Sequence, residues 1–498
     1  MFRKNLTVFA IILGLCCAVS AEWPSDPSVN VPICTDPAPQ ATYPVAITTD
    51  GAGGAIVVWD DSRGSSTDIY AQWVDLEGVV RWTLDGVVVC DEGSSQSHAV
   101  AVSDGAGGAI VVWRDRRAGD NYDIYAQRID SAGALGWPVG APSSDGIAIC
   151  DLTGDQELPI AVSDGAGGAI ITWEDERDPG WVIFAQRVNS DGELQWPTGA
   201  PSTAGAEVCT ASGIQWDISM VGDGAGGALL AWEDGRNNAE TNFDIYAQRI
   251  DPDGASLWAV GGIAASRADL GETDPVIAGD GAGGAIVAWV DRRDLGTTKF
   301  DIRARLINSV GGPDWPANEV VVCNHEYDQD MPEIVSDGEA GAIIAWRDIR
   351  GQTSTLYDVY AQRVDAAAAA LWIPNGVAVV AAEDQQQSHK MLSDGAHGAI
   401  ITWSDQRNDS ADVYAQLVTA AGEVGAPDGV AVSNAVSIQS ISALTSDGLG
   451  GAIIAWRDWR TSATSSTDVY AQRVVNNTPI FSDGFESSDT GAWSGAVP

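Results

Sequence analysis

Lysine is almost missing from this chain of 498 residues: it occurs only as Lys4, Lys299 and Lys390. Lysine and arginine together number 26 against 69 aspartates and glutamates, giving a net charge of −43. Nucleic-acid binding needs clustered cations that release counterions, so a surface this acidic repels phosphate backbones. Anionic membrane surfaces are disfavoured for the same reason. Histidine is also scarce. His98, His325, His389 and His397 share no spacing of the kind that holds zinc, so no metal site and no cofactor is expected. Beyond the first twenty or so residues no apolar run is long enough to span a bilayer. Partners compatible with these absences are proteins or neutral glycans, bound by a chain expected to be monomeric.

The start of the chain reads as a signal peptide over residues 1–21. Arg3 and Lys4 precede the apolar run Leu6 to Val19, and Ala18-Val19-Ser20-Ala21 offers a cleavage site. The product would be exported, either released or held at the cell surface. Five cysteines would remain: Cys34, Cys90, Cys150, Cys209 and Cys323. Their number is odd, and each ends a similar apolar run, as in Val87-Val88-Val89-Cys90. Equivalent positions of successive repeats lie beyond disulfide reach, so these are read as small buried apolar residues.

What is abundant is repetition. Asp-Gly-Ala-Gly-Gly-Ala-Ile-Val-Val-Trp begins at Asp50, and close copies begin at Asp104, Asp164, Asp223, Asp280, Asp337, Asp394 and Asp447, spaced 53 to 60 residues apart. Each unit carries four strand signals. Strand a precedes the Gly-rich turn, as in Ala99-Val100-Ala101-Val102. Strand b follows it, as in Ala109 to Trp113. Strand c is the Asp-Ile-Tyr-Ala-Gln-Arg type, at 123–128 in the second unit, and strand d ends in Cys or a small residue. In strand b, Ala55, Val57 and Trp59 point one way and Ile56 and Val58 the other. A strand apolar on both faces lies between two layers, which neighbouring units of a propeller supply.

The ends fit together. The eighth unit stops after Asp468 to Val474 without a strand d, and Val29-Asn30-Val31-Pro32-Ile33-Cys34 reads as a strand d without its own a to c. Pairing the two would close a ring and remove the free edges. The expected fold is therefore all-β: one eight-bladed propeller of four-stranded blades over residues 29–475. A signal peptide (1–21) and a linker (22–28) precede it, and a tail (476–498) follows.

The Asp-Gly-x-Gly-Gly-Ala-Ile-x-x-Trp-x-Asp-x-Arg block and the Asp-Ile/Val-Tyr-Ala-Gln-Arg block resemble those of bacterial secreted propeller-repeat proteins, over about residues 29–475. The resemblance implies architecture, and propellers host many functions. Asp483-Gly484-Phe485-Glu486-Ser487 with Trp493-Ser494 resembles a short C-terminal tail shared by otherwise different exported bacterial proteins, and that likeness implies sorting or surface attachment.

Trp-x-Asp-x-Arg recurs in every unit, where strand b leaves the blade. The pairs are Asp61/Arg63, Asp115/Arg117, Asp175/Arg177, Asp234/Arg236, Asp291/Arg293, Asp348/Arg350, Asp405/Arg407 and Asp458/Arg460. A glutamine stands eight residues before the turn aspartate in six units: Gln96, Gln156, Gln215, Gln329, Gln386 and Gln439. Glu272 takes the place once, and Gln40 stands ten before. With the strand-c aspartates (Asp68, Asp123, Asp244) these groups share one face of the disc. Repetition in every blade suits a structural ring locking loops to neighbouring blades, whereas a ligand site needs asymmetry. Candidate ligand contacts are therefore the departures: Trp181 in unit three, where Trp181-Val182-Ile183-Phe184 replaces the usual start of strand c, and Arg303 and Arg305 in unit five, in place of Tyr and Gln. The long b–c loops at 237–243, 351–357 and 461–467 lie on the same face.

No catalytic set is legible. The Gly-rich turn leads into a strand and lacks a Lys-Ser/Thr pair, so it is no phosphate loop. Asp251-Pro252-Asp253-Gly254 lacks the later ligands of a calcium loop. The sialidase Asp box puts Asp and Trp five apart, and here Asp50 and Trp59 are nine apart. The reading is a non-enzymatic exported scaffold binding a protein or glycan through its loop face. The alternatives are a glycan-active hydrolase or lyase with its site at the channel mouth, and a structural surface protein. If the first strand completes the last blade, deleting residues 29–35 lowers the melting temperature of the whole disc by well over 5 °C; a deletion chain that melts like the intact one contradicts closure.

Overall fold

The computed structural model describes residues 23–479 except 41–42, 179, 298, 316–318, 351–356, 409, 427, 462–466 and 476–477. The proposed signal peptide, nearly all of the tail and most of two long b–c loops (351–357 and 461–467) lie outside the described residues. Eight antiparallel sheets follow one another, each with strand order a-b-c-d. In blade 2 the strands are Gln96–Ser103, Ala109–Asp115, Asp123–Ile129 and Ile147–Cys150. Helix is confined among the described residues to Asn238–Thr241, in the b–c loop of blade 4. Among the described residues no helix is long and apolar enough to cross a membrane.

The two-faced apolar character of strand b is what builds the ring. Ala55, Val57 and Trp59 of blade 1 pack with Ile453 and Ala455 of blade 8, while Ile56 and Val58 pack with Ala109, Val111 and Trp113 of blade 2. The remaining clusters repeat this pattern around the disc, so the core is a set of inter-blade layers rather than one centre. All eight strand-b tryptophans are fully buried.

Closure uses the register of an ordinary blade. Val31–Cys34 pairs antiparallel with strand c of blade 8, Val31 opposite Ala471 and Cys34 opposite Val469. In blade 1 the equivalents are Val87 opposite Ala71 and Cys90 opposite Ile69. Asn30 extends the closure to blade 7, donating from Nδ2 to the Val432 carbonyl (2.9 Å) and accepting from Ser433 Oγ (2.9 Å).

The closure reaches further back than the expected boundary at residue 29. In blades 1 to 6 a tryptophan on the c–d connection latches the blade to the next, as Trp137 Nε1 donates to the Ser190 carbonyl and Trp196 Nε1 to the Pro252 carbonyl, while blade 7 has Ala426 at this place. Blade 8 has no such tryptophan of its own. Trp23, within the segment read as a linker, is buried and donates to the Leu76 carbonyl of blade 1 at 2.9 Å. The Gln472 side chain of blade 8 donates to the neighbouring Pro24 carbonyl, as Gln127 does to Trp137 in blade 2. The segment from Trp23 to Cys34 thus supplies both the latch and the strand d of the last blade. Trp23→Ala removes a buried indole and its hydrogen bond, and unfolding in urea should show a loss of about 3–5 kcal/mol. A loss below about 1 kcal/mol would mean that residues 22–28 are a linker after all.

Candidate functional site: the channel mouth

The eight Asp/Arg pairs share one plan. Each aspartate is fully buried. Its Oδ2 accepts from the indole Nε1 of the strand-b Trp two residues earlier, at 2.7–3.3 Å. The same oxygen meets the Arg Nη2 at 2.5–2.6 Å. Oδ1 caps the Arg backbone N–H, as at Arg63 (2.9 Å) and Arg350 (2.7 Å). In seven blades the guanidinium also lies 3.7–4.3 Å from the ring of the strand-c Tyr or Phe, a cation–π contact. In most blades its outer nitrogens reach a carbonyl leading into strand d of the same blade, as Arg236 to Gly261 (2.6 Å), or Sγ of the preceding blade's cysteine, as Arg236 to Cys209 (3.1 Å). These arginines are therefore consumed in joining strand d of their own blade to the preceding blade.

Two of the arginines vary this plan while keeping their contact with the preceding blade. Arg177 is not in a loop. Strand b of blade 3 runs on from Ala169 to Asp178, and Asp178 pairs with Gly180 of strand c, so Arg177 lies inside the strand. The reason is local: blade 3 lacks the long connection of its neighbours, and its two strands continue past the Asp175–Val182 register position to the Asp178–Gly180 pair. Arg177 still donates to the Ala204 carbonyl (2.8 Å) and to Cys150 Sγ (3.3 Å). Arg460 holds the other end of the chain instead of a strand d of its own unit, because unit eight has none. It donates from Nη1 to the Ser28 (3.1 Å) and Val29 (2.9 Å) carbonyls and from Nη2 to Asn30 Oδ1 (2.8 Å). Toward blade 7 it meets Ser433 Oγ (3.3 Å), as Arg293 meets Ser266 Oγ of blade 4, where blades 1, 2, 3 and 5 and the closing strand offer a cysteine. Arg460 is thus a closure residue as well as a member of the ring.

The five cysteines are free and buried. Desolvation pushes Cys34, Cys90, Cys150 and Cys323 up to about 12 and Cys209 to about 11, so all remain thiols at neutral pH.

The departures from the pattern fall in two places. Arg303 donates from Nη1 to Glu319 (3.2 Å) and from Nη2 to Asp294 (3.1 Å), with Nε 3.7 Å from Asp291. Arg305 donates from Nη1 to the Ala265 carbonyl of blade 4 at 2.9 Å. The two arginines share the blade 4–blade 5 junction. Trp181 is apart from them. Val182 pairs with Asp175 where other blades pair two aspartates, so Trp181 stands one place before strand c's first register position. The same place holds Tyr122, Phe243, Phe300 and Tyr357. Blades 2 to 6 thus present a crescent of five partly exposed aromatic residues on one face. Guanidinium groups lie against three of the rings, Arg114 at Tyr122 (4.2 Å), Arg292 at Phe300 (4.9 Å) and Arg347 at Tyr357 (3.8 Å). Trp216 stacks on Phe243 with centroids 5.1 Å apart.

Sequence reasoning missed the residues that line the channel. Strand a is bulged in blades 2 to 7, and the bulge residue takes a left-handed conformation although none is glycine: His98, Leu158, Asp217, Asp274, Met331 and Ser388, with φ of 48–55°. All six line two central cavities of about 690 and 540 Å³ that share Pro44, Asp217 and Lys390. They stand two places after the glutamine row, and their variability within an otherwise strict repeat is the signal that could have found them.

Charge at the mouth is uneven. Blades 3 to 5 bring Glu174, Asp217, Glu233 and Asp274 together. Glu174 Oε1 accepts from the Asp217 N–H (2.9 Å), and Glu233 Oε1 from the Asp274 N–H (3.0 Å). Glu233 Oε2 accepts from Trp216 Nε1 (2.7 Å). Carboxylate oxygens of Asp217, Glu233 and Asp274 lie within 4.8 Å of one another, close enough to share a proton or a cation. Across the channel stand Lys390, paired with Glu333, and Arg457. Burial pushes Glu174 and Glu233 up to about 7 and Asp217 to about 6, with neighbouring carboxylates adding to the rise.

No family model and no curated protein matches the chain. Solved structures show likeness in fold. A PL25 ulvan lyase bound to -[GlcA(1-4)Rha3S]- is 11% identical, with a TM-score of 0.46 over 92% of this chain and 96% of that one. The β-propeller domain of the Trilobed protease from Pyrococcus furiosus is 11% identical, with a TM-score of 0.43 over 74% and 93%. The alpha-L-arabinanase of Penicillium chrysogenum complexed with arabinobiose is 15% identical, with a TM-score of 0.37 over 64% and 93%.

Raised carboxyl pKa values bind protons in the folded state, so their contribution is whole below about pH 4.5 and is lost as pH rises through 7. The urea midpoint should therefore fall between pH 5 and pH 8, and Glu233→Gln should reduce that fall. An unchanged slope in the variant would place Glu233 in ordinary solvent.

Proposed function

We propose that this is an exported, non-enzymatic and monomeric propeller that binds a glycan across the face carrying the b–c loops. The crescent Tyr122, Trp181, Phe243, Phe300 and Tyr357 carries this reading. Sugar rings present apolar C–H faces that stack on half-exposed aromatic side chains, and guanidinium and carboxylate groups beside those rings supply hydrogen bonds to hydroxyls. Five adjacent blades offer such residues in an arc around the mouth, which suits an extended chain better than a single sugar. The strongly negative surface favours neutral glycans over polyanionic ones. Residues 1–21 support export, and the tail resemblance supports retention at the surface.

One observation favours a second reading, a glycan-active enzyme. Glu174 and Glu233 lie beside the central cavities with carboxyl pKa values raised to about 7, which suits a general acid. A glycan array followed by calorimetry separates the readings. The proposal expects binding without turnover, weakened at least tenfold in Trp181→Ala and Tyr357→Ala proteins that keep the native melting temperature. Depolymerisation abolished by Glu233→Gln would establish the enzyme, and the absence of any glycan ligand would overturn both.

A further inference from the structure

In seven blades the first residue of strand a, or its equivalent Gln40 in blade 1, is a fully buried glutamine. In six of them the amide donates to a carbonyl of the preceding loop, as Gln96 to Ser94 (2.7 Å) and Gln156 to Gly154 (3.0 Å), and in all seven Oε1 has no protein partner. This register position therefore turns its second polar atom into the blade junction throughout the ring. Blade 5 alone has a carboxylate here, Glu272. Its Oε1 accepts from Ser266 Oγ (3.0 Å) and the Ala268 N–H (2.6 Å), while Oε2, fully buried, is unpartnered.

Besides Ser266 and Ala268, blade 4 brings Asp244 near enough for its charge to act on the Glu272 carboxyl, as that of Asp291 does. The Glu272 N–H donates to the carbonyl of Phe243, the residue before Asp244, at 2.9 Å. Asp244 is also fully buried. Its Oδ2 accepts from Asn237 Nδ2 (2.8 Å) and lies 3.5 Å from Arg267 Nε, and its Oδ1 is unpartnered. The cations of this junction are taken elsewhere. Arg293 serves Asp291 and Glu319 and stays 4.0 Å from Glu272, while Arg303 serves Asp294 and Glu319. The network joins five carboxylates to three guanidinium groups, and Arg305 is turned to backbone carbonyls. Two buried, partnerless carboxylate oxygens in an acid-rich junction call for a counterion.

We infer that the junction between blades 4 and 5 binds a calcium-class divalent cation through Asp244 Oδ1 and Glu272 Oε2. Hard cations of this size take oxygen ligands in adaptable geometry and tolerate water in the remaining positions. Soft metals are disfavoured, because strand d of blade 4 ends in Ser266 where four other blades and the closing strand have cysteine. The site is independent of glycan binding at the mouth.

Calcium titration of the chelator-treated protein, followed by calorimetry and by thermal melting, tests the assignment. Glu272→Gln installs the residue that the other seven blades use, so the variant should fold; Asp244→Asn is the second variant. The expected result is one calcium equivalent bound by the parent protein, a higher melting temperature with calcium, and at least tenfold weaker binding in each variant. Parent and Glu272→Gln proteins that respond to calcium alike would overturn the site. So would a parent whose melting temperature ignores calcium and rises only on acidification, since the junction would then hold a proton instead.

Discussion

A buried carboxylate is stable only when donors surround it, and that requirement shapes every blade of this protein. Asp61 accepts from the Trp59 indole, from the Arg63 backbone N–H and from two nitrogens of the Arg63 guanidinium. The charge is neutralised and its lone pairs are used, so it can sit at the end of an apolar strand without solvent. The arginine in turn is flattened against Tyr70 and extended to Cys34 and the Asp85 carbonyl. One residue triplet thus fixes the exit of strand b, the ring of strand c, the entry of strand d and the contact with the preceding blade. Lysine, a point charge on a flexible stem, could not make the same planar set of contacts, which accounts for arginine at all eight of these positions.

Because these contacts recur eight times, they confer order on the disc and leave little room for chemistry. Asymmetry enters where the repeat tolerates change. The bulge in strand a exposes one side chain per blade to the channel, and its identity varies from His98 to Leu158 to Asp217. Asp217 and Asp274 enter the common space in this way, beside Glu174 and Glu233 of strand b and across from Lys390 and Arg457. The blade 4–blade 5 junction is the other asymmetric place. There Glu272, Ser266, Arg303 and Arg305 replace the usual residues together, so the change reads as one rebuilt interface.

The blade architecture was legible because Trp-x-Asp-x-Arg and the Gly-rich turn encode local physics that repeats without interruption. The closing strand was legible for the same reason: Val31 to Cys34 matches Val87 to Cys90 in pattern and in register. Trp23 was less so, since a lone tryptophan before a Pro-rich stretch carries no periodicity, and its role depends on a partner 53 residues away. The motif also concealed differences among its own copies. Arg177 and Arg460 read like the other six, yet one lies in a lengthened strand and the other grips residues 28–30. The channel residues were hidden because a left-handed bulge made by His, Leu, Asp or Met has no glycine to announce it. Arg303 and Arg305 were legible as departures, while their partners in blades 4 and 5 required the fold.

The chain is a closed circle in which the segment from Trp23 to Cys34 is part of the last blade. Hydrogen exchange followed by mass spectrometry measures this directly. Closure predicts that the amides of Val31, Ile33 and Cys34 and of Asp468–Val475 exchange slowly and at a common rate, matching Val87–Cys90 and Asp68–Val74 in blade 1. Rapid exchange of Val31–Cys34 beside a protected blade 8 would show that the ring is held shut by something else.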